Sequence, residues 1–474
     1  MSETGYGLNA LPDPGDPHAI VREFAANPAF RAAEWSELTT EDNPFRRPVR
    51  PDDLDWLDYS RPLAAENALK LSGLLGHRML RNIYDLDQLM LAPTGTRAAL
   101  ADRATYYSTR NRVLSAMARP VLEHHLFTYL AELRPAHPVG TLGGLRALVL
   151  EEYERRSAEP VKAIEAARAA RGSREAATFL LLQYSAFTPA GHTAVARNAV
   201  GEFDLPHRAL RSTLLGHYQR WAQDADRYTE LLAAAELLPA PGAYWQMYLN
   251  SSLARGNHLH HLAANQELVF SFLGAFLFQL LDSAVTAERY AEVFENGLGV
   301  RPEYFEKLQV WSRHDLAALV DTLVEPFSAR FGRTVVEQVH AGFAEAAHLA
   351  DLWDRDLAAQ LSWADSIEVY QERAERIQRH IDDEELEIDL DTFVESWEVT
   401  STTHVHDDHR LVVIESGQMH FWNNVTHKIE LNAGDKLLIP LSRLHGSTVL
   451  SGECTYHQPI IPETMYRTFV QEPA

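Results

Sequence analysis

Thr402–Trp422, TTHVHDDHRLVVIESGQMHFW, and Glu430–Val449, ELNAGDKLLIPLSRLHGSTV, decide what kind of fold ends this chain. Apolar and polar residues alternate there with a period of two, between turns at Ser-Gly, Asn-Asn and Asn-Ala-Gly-Asp, the pattern of an antiparallel β-domain. Residues two apart on a strand share a face, so His404 and His406 point the same way. His445 follows Pro440 by five residues, at the end of a later strand pair that an antiparallel fold can return beside the first. Three neutral imidazoles in one pocket suit Fe(II), Cu or Zn and leave coordination positions for substrate or dioxygen. His409 falls on the opposite face, and His420, His427 and His457 are not expected among the ligands.

Working outward, 474 residues exceed one ordinary core, so several domains are expected. Apolar residues at 46% and charged residues at 23% fit a folded soluble protein. A formal charge of -23 argues against binding nucleic acid or an anionic membrane and leaves a small polar molecule as the expected partner. With Cys454 as the single cysteine, no intrachain disulfide forms and thiolate metal sites are excluded. The N-terminal MSETGYGLNALPDPGDPHAI shows no basic segment followed by an apolar run, so a cytoplasmic location is expected. LVFSFLGAFLFQLL, Leu268 to Leu281, is shorter than a span of about 20 residues and reads as a buried helix.

Residues 1 to about 55 read as an irregular Pro-, Asp- and Gly-rich arm, the helical period sets in from Pro62 and gives way to a period of two beyond Asp391, and the chain divides at residues 1–135, 136–330, 331–388 and 389–474. In the first part Leu69, Leu71, Leu74, Leu75, Met79, Leu80, Ile83, Leu86 and Leu89 recur at three- and four-residue spacing. Few charges accompany this helical arm. Its stripe needs a partner, either a second copy in a homodimer or the next domain. Residues 136–330 predict helices over Leu142–Ala158, Ser173–Ser185, Leu210–Ala235, Ala243–Leu262, Gln266–Leu281, Ala287–Asn296 and Pro302–Phe331, with a break at Pro189-Ala190-Gly191. Val335 to Ile381 is a further amphipathic stretch, a helical linker into the β-domain. Glu345, His348 and Asp351 have ligand-like spacing on it, although a charged outer face explains them equally well. His258, His260 and His261 read as a helix surface or core edge.

The His-x-His pair, the later histidine and GDKLLIP together resemble the cupin superfamily, which implies a C-terminal cupin β-barrel. Many cupins place a ligand glutamate four to five residues after the second histidine, where Arg410 and Leu411 stand here, so the resemblance implies a three-histidine site for one Fe(II). Residues 140–325 resemble the haem-oxygenase-like diiron oxidases. The whole order of arm, bundle and cupin resembles the N-nitrosourea-forming enzymes of streptozotocin biosynthesis, in which the diiron domain hydroxylates a guanidine and the cupin iron rearranges the product. The fold class implied is multidomain α plus β: a helical dimerisation arm, a haem-oxygenase-like helical bundle and a cupin.

The bundle departs from that family's ligand pattern. Ala199 stands at a carboxylate position, with His207 retained nearby; Phe278-Gln279-Leu280 stands where a glutamate is expected; Leu308, Ser312 and Asp315 occupy the last motif. A dimetal site needs several carboxylates, so a diiron centre is not expected here. The resemblance then implies a mononuclear iron oxygenase of specialised metabolism. Its cupin would carry out oxidative rearrangement or cleavage of a guanidine- or amino-acid-derived molecule with O2, with Arg410, Arg443 and Tyr456 as candidates to bind a substrate carboxylate or orient an oxygen species. A non-catalytic metal- or ligand-binding partner protein, and an oxygen-independent isomerase or hydrolase, remain as alternatives.

Overall fold

The apolar run around Phe272 lies in α9 (Val269–Leu298), the spine of a helical bundle. The computed structural model describes residues 11–27, 49, 51–88, 107–201, 208–239, 244–306, 308, 311–397, 402–421 and 427–470. Against α9 pack α6 (Ser173–Ala199), α8 (Asn250–Ala264) and α12 (Arg333–Asp365). Around them lie α4 (Leu142–Ala158), α5 (Lys162–Ala169), α7 (Arg208–Ala234), α10 (Glu303–Glu306) and α11 (Arg313–Phe331). By length and composition α9 could cross a membrane, but most of its apolar stretch is buried among these helices.

Two glycines let α9 and α12 approach closely. A Cβ on Gly274 would collide with the Val339 carbonyl oxygen, and one on Gly342 with that of Ser271. Glycine inside a helix costs about 1 kcal/mol relative to alanine, so the backbone contact explains why both positions lack a side chain.

Several helix ends differ from the periodic pattern. α9 is one helix through the polar stretch Asp282–Thr286, because Asp282 is paired with Arg156 and Arg255 and the Thr286 hydroxyl donates to the Asp282 carbonyl at 2.7 Å. α6 runs straight through Pro189, with buried residues on both sides of it; the packing outweighs one lost backbone hydrogen bond. Pro302–Phe331 is instead two helices, and α11 starts on a capping box between Ser312 and Asp315. The Ala243–Leu262 stretch is helical from Asn250 only, after a 3-10 turn at Trp245–Met247.

The arm contributes α1 (Pro17–Ala25), α2 (Leu71–Leu86) and α3 (Thr109–Phe127); Leu89 lies outside the described residues. Leu74, Leu75, Met79, Leu80 and Ile83 are buried inside the chain, where α2 packs on α3 and α8. The stripe that demanded a partner is thus covered by the chain's own bundle. A row of imidazoles fills this seam. His77 and His258 tilt against Phe127, and His260 stacks on Tyr84. His258 and His260 are each 1% exposed, which corrects their expected place at a surface or core edge: the aromatic rings of the arm cover them.

After α12 comes α13 (Ile367–Asp383), then strands β1 (Thr392–Ser396), β2 (His409–Ser416), β3 (Gln418–His420), β4 (Glu430–Asn432), β5 (Lys436–Ile439), β6 (Thr448–Val449), β7 (Glu453–His457) and β8 (Ile460–Ile461), and finally α14 (Glu463–Val470). All pairings are antiparallel. One sheet has the order β1-β7-β2-β5 with β8 also on β2; the other is β4-β3-β6. Val412, Ile414, Leu437, Ile439, Cys454 and Tyr456 from the first sheet meet Met419, Leu431 and Val449 from the second in a common interior. Leu411, Leu438 and Ile461 face outward onto Ala374 and Ile377 of α13. The protein is therefore a helical bundle with a C-terminal cupin-like barrel.

Gly274→Ala or Gly342→Ala is expected to cost about 1–3 kcal/mol by overpacking, read as a lower thermal midpoint; an unchanged midpoint would contradict the close-approach role. A second expectation concerns acid. Burial, and then the charges of neighbouring histidines, hold His77 down to about 3, and burial, and then Arg220, hold His217 down to about 4. Both values lie below the ~6.5 of a free histidine, so the fold favours the neutral ring. Their contribution is intact above about pH 6.5 and is lost as pH falls below it, by about 2 kcal/mol each at pH 5. Thermal midpoints at pH 7.5 and 5 should therefore differ, and by less in His217→Phe.

Candidate metal centre

His404, Val405 and His406 are not part of a long strand. They form an extended segment between β1 and β2 that pairs with Ser442–His445. His404 donates its backbone N–H to the His445 carbonyl at 2.8 Å and accepts from the His445 N–H at 3.1 Å; the His406 carbonyl accepts from the Ser442 N–H at 2.9 Å. This pairing places the three imidazoles together. Their ring centroids are 4.5–4.9 Å apart, and one ligand atom from each lies within 4.8 Å of the others. Ligand nitrogens around an ion with ~2.1 Å bonds sit roughly 3–4 Å apart, a difference that ring rotation closes.

The outer nitrogens fix the orientation. His404 Nδ1–H donates to the Thr402 carbonyl and His445 Nδ1–H to the Arg443 carbonyl, each at 2.8 Å, which turns both Nε2 atoms inward. The Nε2 atoms of His406 and His445 are buried with no hydrogen-bond partner. Leaving such an atom unmet costs about 1–3 kcal/mol, and a cation would satisfy both. Burial, then the other imidazoles, hold His406 and His445 well below the ordinary histidine value, so both are neutral ligands at physiological pH. Phe421 stacks on His445 with ring centroids 5.0 Å apart and shields one side.

The candidates beside the triad divide. Arg410 shares the inward face of β2 with Val412 and Ile414; its Nη1 donates to the Gln458 carbonyl at 3.0 Å and to Asp391 at 3.2 Å. Its Nε is buried without a partner, and its charge helps depress His406. Tyr456 also faces inward, but its hydroxyl donates to Glu395 at 2.9 Å and its ring stacks on Phe393. Arg443 turns away into the helical domain, donating to Asp356 Oδ1 and to the Asp356 carbonyl, each at 3.3 Å. His409 lies on the outer face, stacked on Tyr466 and bonded to Glu463 at 2.8 Å.

Helical residues hold the ligand segments, and nothing local in the sequence marks them. Gln360 of α12 donates to the Leu444 carbonyl at 2.9 Å and accepts from the Leu444 N–H at 2.8 Å. Arg78 of α2 donates to the Thr403 carbonyl at 2.7 Å, and Gln246 accepts from the Thr403 N–H at 3.0 Å. Val405 and Leu444, which flank the triad, are buried in the core of the helical bundle.

In the bundle, Glu345 is bonded to His258 at 3.0 Å and Arg134 at 2.6 Å, while Asp351 pairs with Arg156 at 2.7 Å. Glu345, His348 and Asp351 do not converge on a common point; among the described residues the histidine triad is the one such group of three close enough to hold an ion. Ala199 is buried at the end of α6, His207 lies outside the described residues, and Asp315 and Ser312 cap α11 at the surface. Phe278 and Leu280 are core residues, and Gln279 and Leu308 line a cavity.

Fold and site together define a helical bundle joined to a cupin-like barrel whose three convergent histidines could hold a metal ion. The chain resembles nitrosourea synthase of Streptomyces achromogenes subsp. streptozoticus, to which it is 28% identical over 448 residues, spanning 92% of this chain and 93% of that enzyme. No protein-family model matches it.

Replacing Gln360 with Leu would leave the Leu444 N–H and carbonyl unmet. Metal affinity, measured by calorimetry on protein whose circular dichroism is unchanged, should fall about tenfold. Unchanged affinity would mean that the barrel holds His445 without help from α12.

Proposed function

We propose that this chain is a mononuclear non-haem iron oxygenase of specialised metabolism, with one Fe(II) held by His404, His406 and His445. Its cupin would oxidatively rearrange or cleave a guanidine- or amino-acid-derived small molecule, N-hydroxylated guanidines included, using O2. The observation that carries this is the pair of buried, unpartnered Nε2 atoms of His406 and His445 facing His404. The likeness to nitrosourea synthase supports oxidative chemistry on a nitrogen-rich substrate.

Neutral nitrogen ligands suit Fe(II), and three of them leave positions open. Bound iron would supply a place where a chelating substrate and dioxygen meet. His406 and His445, kept neutral by burial, would supply ligand lone pairs without first shedding a proton. Arg410, whose charge reaches His406, would orient a carboxylate or an anionic oxygen. Phe421 and the apolar interior exclude water from that side. The bundle serves as scaffold, with its family-like ligand positions filled by Ala199, Gln279 and Leu308.

Protein purified without added metal should carry one iron per chain, and His406→Ala or His445→Ala should lose it. With Fe(II) and an N-hydroxylated guanidine, oxygen uptake should accompany product formation. Turnover that proceeds without oxygen would point to an isomerase or hydrolase, and tight ligand binding without turnover to a binding protein. Two irons located in the helical bundle would overturn the scaffold role.

A further inference from the structure

The helical bundle has a partly open cavity of about 120 Å3 between α6, α7 and α9, with Tyr304, Leu308 and Trp311 on its remaining wall. A cavity of roughly 150 Å3 accommodates benzene, so this one suits a molecule of about one ring. Phe187, Trp221, Tyr304 and Leu308 give it a largely apolar lining. Five lining residues, spread over the three helices, each carry a buried polar atom with no protein partner: Thr188 Oγ1, His192 Nδ1, His217 Nε2, Trp221 Nε1 and Gln279 Oε1. An apolar pocket with a few convergent polar groups is the usual form of a small-molecule site.

Charge and shape narrow the ligand. Burial keeps both imidazoles neutral. Asp224 is engaged with Arg227, and the Arg220 guanidinium is exposed and lies over Trp311. The two charged residues on the lining are thus already engaged or turned to solvent, which favours an uncharged ligand. The indole N–H only donates, the Gln279 oxygen only accepts, and each imidazole can do either. Trp221 stacks on His192 with ring centroids 4.7 Å apart, giving the cavity a flat wall. We infer that this cavity binds an uncharged planar ring with an N–H donor beside an acceptor, as in a cyclic amide or an azole. The site is separate from the histidine triad and does not depend on the iron chemistry proposed for it.

The test uses the full chain as purified, with 2-pyridone as probe. Calorimetry should show saturable binding to the parent protein, weakened at least about tenfold in Leu308→Trp, which fills the cavity, and in His217→Phe, which keeps the ring shape but removes the nitrogens. Iron content should stay unchanged in both. A crystal of the parent protein soaked with 5-bromo-2-pyridone should show the bromine between Trp221 and Leu308, a readout that does not depend on either variant folding. No binding at concentrations on the order of 10 mM, ordered water alone in the cavity, or benzene or methylguanidinium bound as tightly as 2-pyridone would each overturn the proposal.

Discussion

The two backbone hydrogen bonds exchanged by His404 and His445 make one face out of residues forty-one positions apart. Everything chemical in the barrel depends on that bridge. It sets the mutual distance of the imidazoles, and the carbonyls of Thr402 and Arg443, immediately beside it, set their tautomer. An isolated pair of short segments would hold such a bridge weakly, since small antiparallel ribbons are marginal in water. Here the same segments bury Val405 and Leu444 in the helical core, so hydrophobic burial in one domain secures the geometry of a polar site in the other.

The helical bundle shows the opposite balance. Its interior is apolar along α9, yet it retains buried imidazoles both at the seam with the arm and in the cavity beside α7. At the seam the rings pack as flat aromatic bodies against Tyr84 and Phe127, and Glu345, itself held by Arg134, bonds His258. His260 at the seam also lacks partners at both nitrogens but is stacked on Tyr84, whereas His192 and His217 turn their unmet nitrogens to a cavity. The same residue type therefore serves as filler in one place and as an open hydrogen-bonding group a few helices away. The distinction lies in what surrounds the ring.

The convergence of the three histidines was legible because it depends on local regularities: a period of two, a turn at Gly434, and the spacing from Pro440 to His445. The extended geometry held even though His404 and His406 lie outside the regular strands. β7 escaped notice because its inward residues are Cys454 and Tyr456, set among polar neighbours, and supply little apolar alternation. α6 was cut short because Pro189 is a strong local signal, outweighed by packing on both sides. The supports of the site could not be read at all. Gln360 meets Leu444 across 84 positions and Arg78 meets Thr403 across 325, and no local pattern encodes such contacts. For the same reason Arg443 looked like a substrate-facing cation until Asp356 was seen to hold it.

α12 deserves a last consideration as a single object. With 33 residues it is about 50 Å long. Near one end Gly342 lets it lie against α9; further along Asp356 and Gln360 grip the Ser442–His445 segment, and Trp363 enters the barrel wall. A rigid rod fastened at both ends does not permit the barrel to swing toward the bundle. The barrel is not a cassette that recombination could lift out near Asp383 intact, because the floor beneath its three-histidine face is made of helices encoded upstream.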